Sequence, residues 1–180
     1  MNIVPEEIFN MEFKTETFSF LRYNPSDNQH REALSLFRED DYINDELGVE
    51  SIINELLTFE EEFFGAYLVG NQNDKIIGWL QINQDYFKKY LELEWAVIQK
   101  YRGPFDGGPE TTGSKIIRES SNYLLMNYKE LSHIQAYIFK HNISSINAAF
   151  HAGFVKTNWY TFIKQKSTAY NPNPDGLIRR

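Results

Sequence analysis

The period of the apolar residues changes near residue 64, and that change most restricts what the chain can fold into. Before it, Val49, Ile52, Ile53, Leu56 and Leu57 fall at i, i+3, i+4, i+7 and i+8, the stripe of an amphipathic helix starting at Asp45. After it, residues 64–69 and 75–83 are short apolar runs joined by Gly70-Asn71-Gln72-Asn73-Asp74, a link that predicts a hairpin. Residues 90–98 make a third strand, in which Leu91, Leu93, Trp95 and Val97 alternate with Glu92, Glu94, Ala96 and Ile98.

The flanks complete a mixed pattern. Residues 18–24 read as a first strand, and Asp27 or Asn28 can cap a helix over 28–39 that carries Ala33, Leu34 and Phe37 on one side. A Gly/Pro-rich loop at 103–113 precedes a helix near 114–128 with Ile116, Ile117, Leu124 and Tyr128 facing inward. Residues 133–139 are a further strand. Residues 144–152 are a short helix with Ile146, Ala149 and Phe150, ended by Gly153, and residues 159–163 are the last strand. This order predicts an α/β or α+β sheet with helices on its faces. One domain over residues 1–169 and a loose tail from 170 to 180 fit the length.

Composition narrows the class. A hydrophobic fraction of 42% with 16% aromatics excludes a disordered chain. The absence of cysteine removes thiolate metal sites and thioester-linked acyl-enzymes, and the histidines His30, His133 and His141 show no metal-ligand spacing. No apolar run reaches the ~20 residues a membrane span needs, and residues 1–20 lack a signal-peptide pattern. A cytoplasmic protein without a metal is expected. The net charge of −7 speaks against a general nucleic-acid binder. It is unevenly spread: residues 1–66 carry sixteen acids and four Lys/Arg, residues 67–180 nine acids and fourteen Lys/Arg. That split fits either an acidic acceptor side facing a basic, phosphate-binding side, or simply solvated acidic helices.

Two segments carry a resemblance. Val97-Ile98-Gln99-Lys100-Tyr101-Arg102-Gly103, followed by Gly113-Ser114-Lys115-Ile116-Ile117, resembles the strand, Arg-Gly-x-Gly-x-Gly loop and helix start of the GNAT acetyltransferase superfamily. Asn142-Ile143-Ser144-Ser145-Ile146 running to Gly153-Phe154 is similar to the late asparagine, short helix and Gly-Phe of the same superfamily. The resemblance covers residues 18–166 and implies a mixed, mostly antiparallel twisted sheet with helices on both faces. It also implies acetyl-CoA as co-substrate and transfer to a primary amine by direct attack. A backbone N–H around Val97 would polarise the thioester.

The residues themselves support such chemistry. A glycine-rich loop lets main-chain N–H groups approach a diphosphate, and the next helix turns its positive end to the same anion. Arg102, Gly103, Gly113, Ser114 and Lys115 therefore form the expected cofactor cradle, with Arg118 nearby and Asn142 toward the pantetheine arm or as a helix cap. Glu94 and Glu92 share one strand face and are the candidate bases, Glu94 first because it lies nearer Val97. The superfamily often has a tyrosine seven residues after the late asparagine as acid; this chain has Ala149 there, so Tyr160, or His151, is the substitute.

A second departure is the insertion Pro104-Phe105-Asp106-Gly107-Gly108-Pro109-Glu110-Thr111-Thr112, which brings two prolines and two acids to a phosphate site. It either bulges outward or alters the anion site. Glu39, Asp40, Asp41, Asp45 and Glu46 point to a cationic acceptor such as a polyamine, an aminoglycoside-like amine or a protein amine, with no nucleic acid and no membrane as partner and a homodimer left open. The alternatives are a catalytically silent GNAT-like acyl-CoA-binding or interaction module, or an unrelated domain that matches by chance.

Overall fold

The computed structural model describes residues 7–37, 63–84, 89–158 and 160–166. The helix expected from Asp45, the acidic residues 39–46 and the tail from 170 lie outside them. In chain order the elements are α1 (Glu7–Asn10), β1 (Phe13–Lys14), β2 (Ser19–Arg22), α2 (Asn28–Ser35), β3 (Phe63–Gly70), β4 (Ile76–Gln84) and β5 (Tyr90–Val97). They continue with α3 (Thr112–Asn127), β6 (His133–Tyr137), α4 (Ile143–His151), β7 (Val155–Lys156) and β8 (Thr161–Gln165).

The strands form one sheet in the order β1-β2-β3-β4-β5-β6-β8-β7. Every neighbouring pair is antiparallel except β5 and β6, which run parallel. The mixed, mostly antiparallel expectation therefore holds. The hairpin turn sits where the Asn/Gly cluster placed it: Asn71 Oδ1 accepts from Asn73 N and Lys75 N, and Asp74 adopts φ 55°. α2 is shorter than its apolar stripe suggested, although Asp27 caps it by accepting from Gln29 N at 2.8 Å. α1, β1 and β7 were not anticipated, because segments of two to four residues carry too few positions to display a period.

The sheet has two covered faces. On one, Tyr67 and Val69 of β3, Leu80 and Ile82 of β4 and Leu91 and Leu93 of β5 pack with Ile116, Ile117 and Leu124 of α3 and with Ala149 of α4. On the other, Ala66, Leu68, Trp79 and Ile98 meet Leu34 of α2 and Phe37 just beyond it. The strand alternation decides which residue goes to which face. Each such large side chain contributes about 2 kcal/mol when taken fully out of water. Phe150 is half exposed on α4, where Ala148 and Ala149 face the core. Gly153 closes that helix at φ 87°, with its N–H on Phe150 O and Phe154 N on Ala149 O.

One buried carboxylate ties the first strands to α3. Glu119 accepts from Thr15 Oγ1 (2.6 Å), Thr17 Oγ1 (2.7 Å) and Thr17 N (3.1 Å) while only 9% exposed. Its charge is thus met by three donors across a hundred residues of chain. Replacing Glu119 by Ala leaves the buried Thr17 N–H and hydroxyl without that acceptor, while Thr15 Oγ1 keeps Phe18 O. We expect a loss of about 3 kcal/mol in urea-unfolding stability, and a loss below a few tenths would show the network is not a structural tie.

Candidate active site

The fold opens a fork in its own sheet. β5 and β6 pair in parallel at only three positions, Tyr90 with His133, Leu91 with Ile134 and Glu92 with Gln135. β5 continues to Val97 against β4, while β6, paired with β8 along its whole length, parts from β5 after Gln135. Ile98 N donates to Ile77 O, so by strand alternation Ala96 and Glu94 turn their main-chain groups to β4. Trp95 and Val97 turn theirs the other way, into the fork. Arg102 Nε donates to Val97 O at 2.9 Å from that side, which fits this assignment.

A cleft of about 410 Å³ lies where the strands part. Glu92 and Glu94 enter it from β5, Tyr137 and Phe139 from the end of β6, and Asn142 and Ser145 from the start of α4. Sequence reasoning brought Glu92, Glu94 and Asn142 to one place, and the structure does the same. The Glu94 carboxyl keeps surface open to the cleft, yet the protein around it pushes its pKa above the usual carboxylate range, through desolvation first and the neighbouring Glu92 second. Asn142 caps α4, its Oδ1 accepting from Ser145 N at 3.1 Å. That bond leaves the Asn142 Nδ2 donor for the cleft. Tyr137 and Phe139 were missed as site residues. Their signal was visible in hindsight: the strand at 133–137 alternates, so every second residue had to face away from the core.

The glycine loop meets the same region from the other side. Gly113 lies against β5: a Cβ there would sit 3.6 Å from Val97 Cγ2 and 3.7 Å from Trp95 Nε1. The start of α3 is thereby held beside the Val97 end of the fork. Gly103 turns at φ 105°, open to glycine alone without strain, and its carbonyl accepts from Thr112 N at 3.0 Å. Thr111 caps α3 by accepting from Ser114 N.

Between these glycines the insertion closes on itself. Pro104 and Thr111 form an antiparallel bridge, and Phe105 N donates to Glu110 O at 2.7 Å. The insertion then docks on the first two turns of α3. Glu110 receives Arg118 through two bonds, Nε at 2.7 Å and Nη2 at 2.8 Å, and Ser114 Oγ at 3.4 Å. These bonds from Arg118, opposed by partial burial, hold the Glu110 carboxyl below its ordinary value. Lys115 Nζ rests 4.1 Å from the centre of the Phe105 ring. Ser114 is fully buried. Two of the side chains expected in the cradle, Ser114 and Lys115, are thus engaged by the insertion. Beside it, Lys100, Arg102 and Asp106 border a second cleft of about 360 Å³ that reaches the Asn71–Asn73 turn.

The proposed acids are placed differently. Tyr160 stacks on Tyr137 with ring centres 5.5 Å apart, behind the residue that lines the cleft. His151 is exposed at the far end of α4 from Asn142, and Ala149 is buried in the core.

No protein-family model matches the sequence, and no curated protein matches it. Solved structures do match the fold. An acetyltransferase of the GNAT family from Bacillus anthracis superposes with a TM-score of 0.66 at 15% identity, covering 86% of this chain and 98% of that one. The ribosomal-protein-S5-alanine acetyltransferase of Vibrio fischeri gives 0.57 at 15% identity, covering 89% and 100%. The N-acetyltransferase PseH of Campylobacter jejuni, solved in complex with acetyl coenzyme A, gives 0.57 at 18% identity, covering 83% and 99%. The chain has the fold of the GNAT acetyltransferases.

Glu94 makes the site pH-dependent in a defined direction. Its folded pKa is raised, so between the ordinary carboxylate value and the folded one the native state holds the extra proton, and stability falls as pH rises through that window. Glu94→Gln removes this loss. Its unfolding midpoint relative to the unsubstituted protein should rise as the pH is raised above the ordinary carboxylate value; a difference independent of pH would show that the protein does not raise the Glu94 pKa.

Proposed function

We propose that this protein is an N-acetyltransferase that moves an acetyl group from acetyl-coenzyme A to a primary amine, with Glu94 as the base. The observation that carries the reading is the fork between β5 and β6, with the start of α3 at its Val97 end and a carboxylate of raised pKa on its face. Relatives in fold that bind acetyl-CoA and acetylate amines support it.

The chain's groups can each take a part. Gly103 and Gly113 let the main chain approach a diphosphate, the positive end of α3 faces it, and Lys115 and Arg102 supply charge. Asn142 Nδ2 can donate to a pantetheine carbonyl. The Val97 N–H can donate to the thioester oxygen as negative charge develops there. Glu94, directly or through water, takes a proton from the ammonium. The freed nitrogen lone pair then forms the C–N bond to the acetyl carbon. As the tetrahedral oxyanion collapses, the C–S bond breaks and coenzyme A departs as thiolate. The thiolate takes its proton from water, because Tyr160 stands behind Tyr137 and outside the cleft lining, and Glu92 keeps the acceptor's approach anionic.

A second reading, a module that binds acyl-CoA without turnover or does not bind it, is favoured by one contact. The Glu110 carboxylate already occupies Ser114 and Arg118, donors that a phosphate would otherwise meet. If the diphosphate shares this ground, Glu110 competes with it.

Two measurements decide between the readings. Thiol release from acetyl-CoA in the presence of amines should be saturable, and Glu94→Gln should lower kcat about 100-fold or more while the calorimetric Kd for acetyl-CoA stays unchanged; full turnover in the variant would remove Glu94 as base. Glu110→Gln should tighten acetyl-CoA binding several-fold by freeing Arg118 and Ser114. Weaker binding in that variant would mean Glu110 holds the cradle together instead of blocking it.

A further inference from the structure

The face of the sheet that carries Glu92 and Glu94 also carries an aromatic wall that the proposed transfer does not use. Ile134, Ala136 and Ile138 go into the core with α3, so Gln135, Tyr137 and Phe139 stand on the opposite side, the side of Glu92 and Glu94. Tyr137 is 49% exposed and Phe139 59%, large values for rings in the middle of a domain. They are not scattered. Tyr137 meets Phe139 edge-on at 6.0 Å and stacks on Tyr160 at 5.5 Å, and Phe139 stacks on His141 at 5.8 Å. This organised wall borders the same cleft that the two carboxylates enter.

Carboxylates opposite aromatic faces are complementary to a ligand with one positive end and an apolar body. The ring quadrupoles attract the cation and the ring surfaces cover hydrocarbon. A cleft of about 410 Å³ suits a small molecule. Among the described residues its lining holds two carboxylates, which suits one ammonium better than several, each of which would need its own counter-charge when desolvated.

We infer that the acceptor is a small monoamine whose ammonium sits at Glu94 and Glu92 while an aromatic or other apolar body lies on Phe139 and Tyr137. This deepens the proposed transfer, on which it rests, by naming the acceptor class. Of the cationic acceptors that the acidic residues 39–46 suggested, it disfavours polyamines and aminoglycoside-like amines. It places specificity on Tyr137 and on Phe139 just beyond β6.

The test pairs turnover with binding. Phenethylamine, spermidine, kanamycin and a peptide with a free N-terminal alanine are compared by thiol release from acetyl-CoA, in the full chain and in Phe139→Ala. Phenethylamine should give the highest kcat/KM. Phe139→Ala should lower it about tenfold through KM for the amine, leave KM for acetyl-CoA unchanged, and be partly rescued by Phe139→Leu. The ring is exposed, so the variant should fold; an unchanged unfolding midpoint checks this. A preference for spermidine, kanamycin or the peptide, or a rise in KM for acetyl-CoA instead, would overturn the inference. Calorimetric titration of phenethylamine into the two proteins separates it from the transfer itself. Binding lost in Phe139→Ala without turnover of any amine sinks the transferase reading and keeps the ammonium site. Absence of both binding and turnover sinks both.

Discussion

A single parallel strand pair governs this structure. In a sheet whose other neighbours are antiparallel, β5 and β6 point the same way, and parallel neighbours cannot be joined by a tight turn. The chain must cross over the sheet, and α3 is that crossing. Its first turn is therefore forced to start near the end of β5, which is where Gly113 rests on Val97 and Trp95. The loop, the positive helix end and the strand edge come together because of connectivity before any side chain adds specificity.

The same pair fails after three positions, and the failure makes the cleft. Once β6 diverges from β5, the main-chain groups of Trp95 and Val97 lose a strand partner, which a folded chain tolerates where something else can meet them. Arg102 meets Val97 O from within the chain. An extended ligand with its own amide groups, as a pantetheine arm is, is chemically suited to the remainder.

The two faces of the sheet divide the work. The α3 face is continuous core, with Ile116 and Ile117 completely buried, and it fixes the helix end to within van der Waals contact of β5. Among the described residues, α2 covers the other face over β3, β4 and the end of β5 around Ala96 and Ile98, and Glu92, Glu94, Tyr137 and Phe139 on the same face line the cleft. The insertion adds a third element. Asp106 and Glu110 look unfavourable beside a phosphate site, yet Glu110 is paired twice to Arg118, so its charge is answered inside the protein.

Residue order alone sets the strands and helices long enough to show a period, the hairpin at Asn71–Asp74, the caps at Asp27, Asn142 and Gly153, and the common face of Glu92 and Glu94. These are local: alternation and capping act within a few residues. It did not determine that Glu119 would bind Thr15 and Thr17, that Glu110 would take Ser114 and Arg118, or that Tyr137 and Phe139 would stand across a cleft from Glu94. Those depend on which strands become neighbours and where they part, and nothing within a strand's own period encodes its partner. Only the packed sheet, by pairing β5 with β6 for three residues and then separating them, decided where the candidate chemistry lies.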